Sequence, residues 1–220
     1  MPLFKPLLAG GHLAERLIGC LGAAVCIMLT ILVCAALPLA AGDLPIIVAP
    51  LGASAVLVFA VPASPLAQPW PVVGGNVVSS LIGVAIYRTI PDATVAAGVA
   101  VGLAIVAMSL LRCLHPPGGA AALTAVIGSQ SIHAAGYDFA FAPVGINSIA
   151  LVSLAMFFHR ATARSYPHRP APAPAAAAAL HPADIDAAIE DMHESFDISR
   201  EDLGVLLARA EIHAAARRAR

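Results

Sequence analysis

A histidine followed by two prolines and two glycines, His115-Pro116-Pro117-Gly118-Gly119, stands in the middle of an almost uniformly apolar stretch. The prolines stop a helix arriving from the N-terminal side, because neither has an N–H and each clashes with the turn before it. Pro117 suits the first position of a new helix. Gly118 and Gly119 then leave the first backbone N–H groups of that helix bare, with no intrahelical partner. An open helix start in apolar surroundings is an electropositive spot fit for a small anion, and His115 stands at its mouth. A related break occurs upstream at Pro50-Leu51-Gly52-Ala53-Ser54, and Gly74-Gly75-Asn76 opens a further apolar run. With Asn147, these patterns nominate Gly52, Ser54, Gly74, Gly75, Asn76, His115, Gly118, Gly119 and Asn147 as solute-binding residues.

Each has a plainer role beside the chemical one. His115 is a pore ligand or proton-linked switch, or it caps a helix end. Asn76 and Asn147 line a polar path, or each bonds a neighbouring helix. The glycines cradle an anion or let helices approach closely, and the two roles are compatible. Nucleophilic chemistry has no support: Ser54, Ser79, Ser80, His115 and Asp138 form no nucleophile motif, and no carboxylates are paired. The chain is therefore not read as an enzyme. Cys20, Cys26, Cys34 and Cys113 have no metal-type spacing and read as free buried thiols, so no metal and no cofactor is expected.

The elements that must position these residues are membrane helices. The chain is 60% hydrophobic and 11% charged, with a mean hydropathy of +0.87, far above a soluble domain. Across residues 17–158 only Asp43, Arg88, Asp92, Arg112 and Asp138 are charged. That pattern implies a lipid bilayer as partner, and the lack of a basic, aromatic-interleaved patch excludes nucleic acid. Apolar runs occupy residues 17–37, 46–61, 72–87, 94–111, 117–128 and 143–158, separated by proline, asparagine or charged breaks. Six spans are the direct reading. A four-span arrangement, with the short Gly/Pro-entered runs re-entrant, keeps the same parity.

The six runs repeat in threes. Pro50-Leu-Gly-Ala-Ser-Ala-Val aligns with Pro117-Gly-Gly-Ala-Ala-Ala-Leu, and Pro71-Val-Val-Gly-Gly-Asn76 with Pro143-Val-Gly-Ile-Asn147 across one gap. An odd number of crossings inverts the second unit, giving an all-α polytopic bundle of two inverted three-span repeats, an architecture of transporters and channels. It predicts that Gly52 and Gly119 approach each other near the midplane. Lys5, Arg16, Arg112, Arg160, Arg164 and Arg169 fall on one side and Arg88 on the other, which puts both termini in the cytoplasm of a cell or inner membrane. Arg88 and Arg112 mark membrane edges.

The membrane domain takes residues 1–160, a Pro/Ala-rich linker 161–182, and a cytoplasmic two-helix segment 183–220. Ile185, Ile189, Met192 and Phe196 share one helix face. Ser199-Arg-Glu-Asp202 reads as a capping box opening a second helix with Leu203, Leu206, Leu207 and Ala210 on its apolar face. Such a hairpin is too small to hold a core alone. It calls for a docking surface, either the membrane domain or a second copy in a homo-oligomer.

At His115-Pro116-Pro117-Gly118-Gly119-Ala120 the sequence resembles the HPP family of integral membrane proteins, named for that tripeptide. The resemblance extends to Pro50-Leu-Gly-Ala-Ser-Ala-Val-Leu57 and to Ser64-Pro-Leu-Ala-Gln-Pro69 followed by Val73-Gly-Gly-Asn76, covering residues 16–160. It implies four membrane-spanning helices and, from plastid members, nitrite transport. Bacterial relatives carry CBS domains after the membrane part. Residues 184–211 look like the joint before such domains, and nucleotide regulation is not carried over. Two functions follow as expectations: a transporter or channel for a small monovalent anion such as nitrite, acting through helix N-termini, or a membrane scaffold or sensor presenting the C-terminal segment.

Overall fold

The computed structural model describes residues 13–36, 47–170, 181–192 and 197–218. Lys5, the turn expected over residues 38–45, Ile46, linker residues 171–180 and Phe196 lie outside the described residues. All regular elements among the described residues are helical. A long helix α1 (Leu13–Ala36) is followed by a short α2 (Pro50–Ala60) and a long α3 (Pro69–Thr89). The order then recurs: α4 (Ala93–Leu110), a short α5 (Pro116–Ile127), a brief α6 (Gln130–Ala135), and a segment Ala140–Gly145, kinked where Ala142 leaves the helical region, that leads into α7 (Ile146–Ala161).

Among the described residues four helical stretches are long and apolar enough to cross a membrane: α1, α3, α4 and Ala140–Ala161, the last kinked at Ala142. Of the six apolar runs, the second and fifth form shorter helices, as in the four-span alternative. With 11 residues in α2 and 12 in α5, each rises about 16–18 Å, roughly half of a bilayer core. Both begin at prolines, Pro50 and the Pro116-Pro117 pair, which set where a helix can start.

Side-chain contacts sort the ends of the bundle. Arg164 donates to Glu15 O (3.0 Å), Tyr166 to Ala67 O (2.9 Å) and Trp70 Nε1 to Leu111 O (3.2 Å), so residues 15, 67, 111 and 166 share one end. At the other, Tyr87 stacks on His133 at 3.8 Å and Arg88 lies 4.9 Å over the Tyr137 ring. Arg88 thus stands opposite the end that carries Glu15, Leu111 and Arg164.

Two apolar clusters hold the bundle. One joins α1, α2 and α7 through Cys26, Leu51, Val58, Phe59, Leu151 and Ala155. The other joins α4 and α5 to α3, with Ala96, Ala100, Ala104 and Met108 at four-residue intervals along α4. The α3–α5 crossing is built from small residues at helical spacing, Gly75, Ser79 and Gly83 against Gly118 and Ala122. A Cβ on Gly83 would lie 2.4 Å from Ala122 O, so backbone meets backbone there.

Outside the membrane part, α8 (Pro182–Met192) and α9 (Arg200–Arg218) meet through an Arg200–Asp186 ion pair. Ile185 is buried against the neighbourhood of Gly204. Ser199 caps α9 as its sequence anticipates: Asp202 N donates to Ser199 Oγ (3.1 Å) and the Ser199 hydroxyl returns a bond to the Asp202 carboxylate. The segment docks on the membrane part. Ser64 Oγ donates to Asp197 (2.6 Å), His168 Nε2 pairs with Asp202 (2.9 Å), and His168 N donates to Gln68 Oε1 (2.9 Å).

Candidate functional site

His115 owes its position to its neighbours in sequence. α4 ends in a turn in which Cys113 N reaches back to Met108 O (2.8 Å), with Arg112 in the left-handed region at φ 54°. The residue before a proline is driven out of the helical region, and His115 is extended at φ −141°, ψ 109°. Its Cβ rests against bare Gly75 on α3, where an added methyl would come within 2.6 Å. The ring is fully buried. Nδ1 donates to Leu66 O at 2.8 Å, and Nε2 faces Ser54 Oγ at 2.8 Å. Leu66 can offer its carbonyl because residues 65–67 make one tight turn capped by Ser64, whose hydroxyl accepts from Leu66 N (3.1 Å).

The network continues from Ser54 into the bundle. Asn76 Nδ2 donates to Ser54 Oγ and to Ser148 Oγ, each at 3.2 Å, tying α3 to both α2 and α7. The residue before Ser148, Asn147, accepts from Val48 N (3.1 Å) ahead of α2 and donates to Cys34 Sγ (3.1 Å) on α1. Ser54, Asn76, Ser79, Ser80, His115, Asn147 and Ser148 are each 1% exposed or less. Among them Asn76 Oδ1, Ser79 Oγ and Ser80 Oγ have no hydrogen-bond partner among the described residues. Buried, uncharged and rich in hydroxyls, the cluster can exchange hydrogen bonds with a small solute and has no side chain that could anchor a full charge.

A family model for the HPP transmembrane region matches residues 9–167. The chain belongs to the HPP family. It is 41% identical over 120 residues to one transmembrane protein of Dictyostelium discoideum, covering 52% of this chain and 38% of that protein. A second from the same organism is 36% identical over 130 residues, covering 57% and 45%. The matched part is thus less than half the length of either relative. No solved structure matches the chain.

The HPP motif is used differently from the sequence expectation. α5 starts at Pro116, one residue early, so its first two positions have no N–H, and Gly118 N donates to His115 O (2.8 Å). A cradle of bare amides is not what the prolines and glycines build. Gly118 instead admits close packing, since a Cβ there would lie 2.7 Å from Ser79 Oγ and 3.0 Å from Gly75 O. Gly74 makes room for the Trp70 ring, and Gly119 is half-buried beside Val101. Gly52 is exposed with open space around it. The approach of Gly52 to Gly119 is therefore corrected: α2 turns Ser54, not Gly52, into the bundle. The structure brings together Ser54, Gly75, Asn76 and His115, with Asn147 one residue from the cluster, and leaves Gly52, Gly74 and Gly119 outside it.

Residues the sequence did not nominate complete the site. Ser148 was legible as the polar neighbour of Asn147, but Leu66 acts through its carbonyl, which no sequence pattern marks. A second buried histidine, His159, donates from Nε2 to Val58 O (3.0 Å) and stacks on Phe59 at 5.4 Å. Near it, burial pushes the Tyr166 phenol up. At the same end a cavity of about 720 Å³ is lined by Arg16, Arg164, His168 and Asp197, among others. Burial works to raise the Asp202 carboxyl, but hydrogen bonds from Ser199 and His168 outweigh it and hold that group below the usual carboxylate range.

Proposed function

We propose that this HPP protein is a membrane transporter or channel for a small solute of the class of nitrite and other monovalent anions. The observation that carries the reading is the cluster at Asn76: buried polar side chains inside an apolar bundle are costly and are kept where a path needs them, and three of their polar atoms lack partners. On this reading the solute crosses from the Arg164 end of the bundle past His115, Ser54 and Asn76 toward Asn147. The repeated long, short, long helix order supports an inverted-repeat transporter. The arginine distribution supports a cytoplasmic location for the Arg164 end.

The test is nitrite uptake into proteoliposomes holding the full chain, beside protein-free vesicles. Uptake several-fold above the lipid leak is expected; flux equal to the leak overturns the proposal. The clasp of Asp197 and Asp202 on Ser64 and His168 favours a second reading, a scaffold presenting the C-terminal segment. Removing residues 183–220 discriminates, since uptake should survive if the membrane part is the machine.

A further inference from the structure

The hydrogen-bond polarity of the buried cluster can be followed from one fixed point. Leu66 O only accepts, so His115 carries a proton on Nδ1. No carboxylate pairs with His115 among the described residues, and a buried imidazolium without a counter-charge is disfavoured. The neutral ring leaves Nε2 as an acceptor. Ser54 Oγ therefore gives its single hydrogen to Nε2 at 2.8 Å, in preference to Pro50 O at 3.3 Å. Ser54 then offers Asn76 only lone pairs, so the atom of Asn76 facing it at 3.2 Å is the amide nitrogen. That nitrogen's second hydrogen goes to Ser148 Oγ. The orientation of Asn76 is thus fixed by a backbone carbonyl three residues away along the chain of bonds. Its Oδ1 is left buried without a donor among the described residues.

From this we infer that the solute passes Asn76 as an uncharged molecule that donates a hydrogen bond, a small weak acid in its protonated form, and that the bare anion is refused there. The inference rests on the transport reading and narrows its solutes to anions that cross as their conjugate acids. An anion brought to Asn76 would set its lone pairs against those of Oδ1, with no cationic side chain in the cluster to offset the loss of hydration. A protonated acid meets Oδ1 with its own hydrogen. The Ser79 and Ser80 hydroxyls, one turn further along α3, then supply donors or acceptors to its other atoms. Nitrite would enter as the acid and release its proton on the far side.

Urea and nitrate are planar molecules of nearly equal size with opposite hydrogen-bonding character: urea donates and is neutral, whereas nitrate only accepts and stays charged. Proteoliposomes with the full chain are mixed with each in turn, with formamide as a smaller donor and nitrite as the reference solute. Influx is followed by light scattering for the amides and by an ion-selective electrode for the anions. The expected result is protein-dependent influx of urea or formamide and of nitrite, with nitrate at the lipid leak. In Asn76→Leu the amide influx should fall by roughly tenfold or more, the size expected when one buried hydrogen bond is lost from the pathway. Nitrate passing as fast as the amides, both amides refused while nitrite enters, or Asn76→Leu with undiminished amide influx would each overturn the inference while transport stands. Refusal of all four solutes overturns both. The wild-type comparison decides even if Asn76→Leu does not fold.

Discussion

Replacing Gly83 by alanine should lower the melting temperature, and replacing Gly98 should not. Both glycines lie inside long helices, α3 and α4, so each substitution gains the same helix preference, about 1 kcal/mol. They differ in what the new methyl meets. At Gly98 there is nothing within 4 Å, whereas at Gly83 the methyl would sit 2.4 Å from Ala122 O and 2.8 Å from the Ala125 Cβ. A carbonyl in a helix cannot swing aside as a side-chain tip can, so α3 and α5 must move apart. Overpacking of this kind costs about 1–3 kcal/mol. The difference between the two variants cancels the helix term and reads the packing cost directly. At about 2–4 °C per kcal/mol for a chain of this size, the variants should melt roughly 2–12 °C apart in detergent, Gly98→Ala the higher. Equal melting temperatures would refute the close α3–α5 crossing and the account of Gly75 and Gly118 that goes with it.

Three further outcomes follow. His115→Leu leaves Leu66 O without its partner, while the Ser54 hydrogen can turn to Pro50 O, and should destabilise by about 1–3 kcal/mol. Adding Ser54→Ala should cost less than in the wild type, a coupling readable as a double-mutant cycle in thermal melts. Tyr166→Phe removes the bond to Ala67 O and should cost about 1–3 kcal/mol by leaving a buried carbonyl unpaired, again read by melting. The docking of α9 should weaken in acid: Asp202 has its folded pKa lowered, so its contribution is complete above the unfolded value of about 3.9 and is lost as the pH falls through the folded one. Hydrogen exchange along residues 200–218 should be slow at pH 7 and speed up, beyond its intrinsic pH dependence, below about pH 4. Exchange that stays protected there would show that the carboxylate does not hold the segment.

The breaks in the apolar pattern were readable because proline and glycine act locally. The position and short length of α5 and the end of α4 before Arg112 all follow from residue types. The serine cap of α9 follows in the same way. The membrane environment followed from composition alone. What the sequence could not disclose was direction. Gly52 and Ser54 are two residues apart on one short helix, and only packing decides that Ser54 faces inward. Nor could it show that Gly118 N is satisfied by His115 O, since that bond depends on how sharply the chain turns into α5. The Leu66 carbonyl that orients His115 belongs to a backbone atom every residue has. Sequence marks where the chain must bend, and tertiary contact chooses which polar atoms then meet.

The glycine contacts also say where this molecule can give way. Gly83 presses on the backbone of α5, and on the opposite side Gly19 presses on the backbone of α2, where a Cβ would lie 2.6 Å from Phe59 O. Backbone-to-backbone contacts do not loosen when side chains rotate, so α3 with α5 forms one stiff plate and α1 with α2 another. Between these two pairs run the bonds of Ser54 to His115 and of Asn76 to Ser54. The polar cluster is accordingly a seam as well as a site. On the transport reading, a molecule that binds there would loosen the fastening between the two pairs of helices.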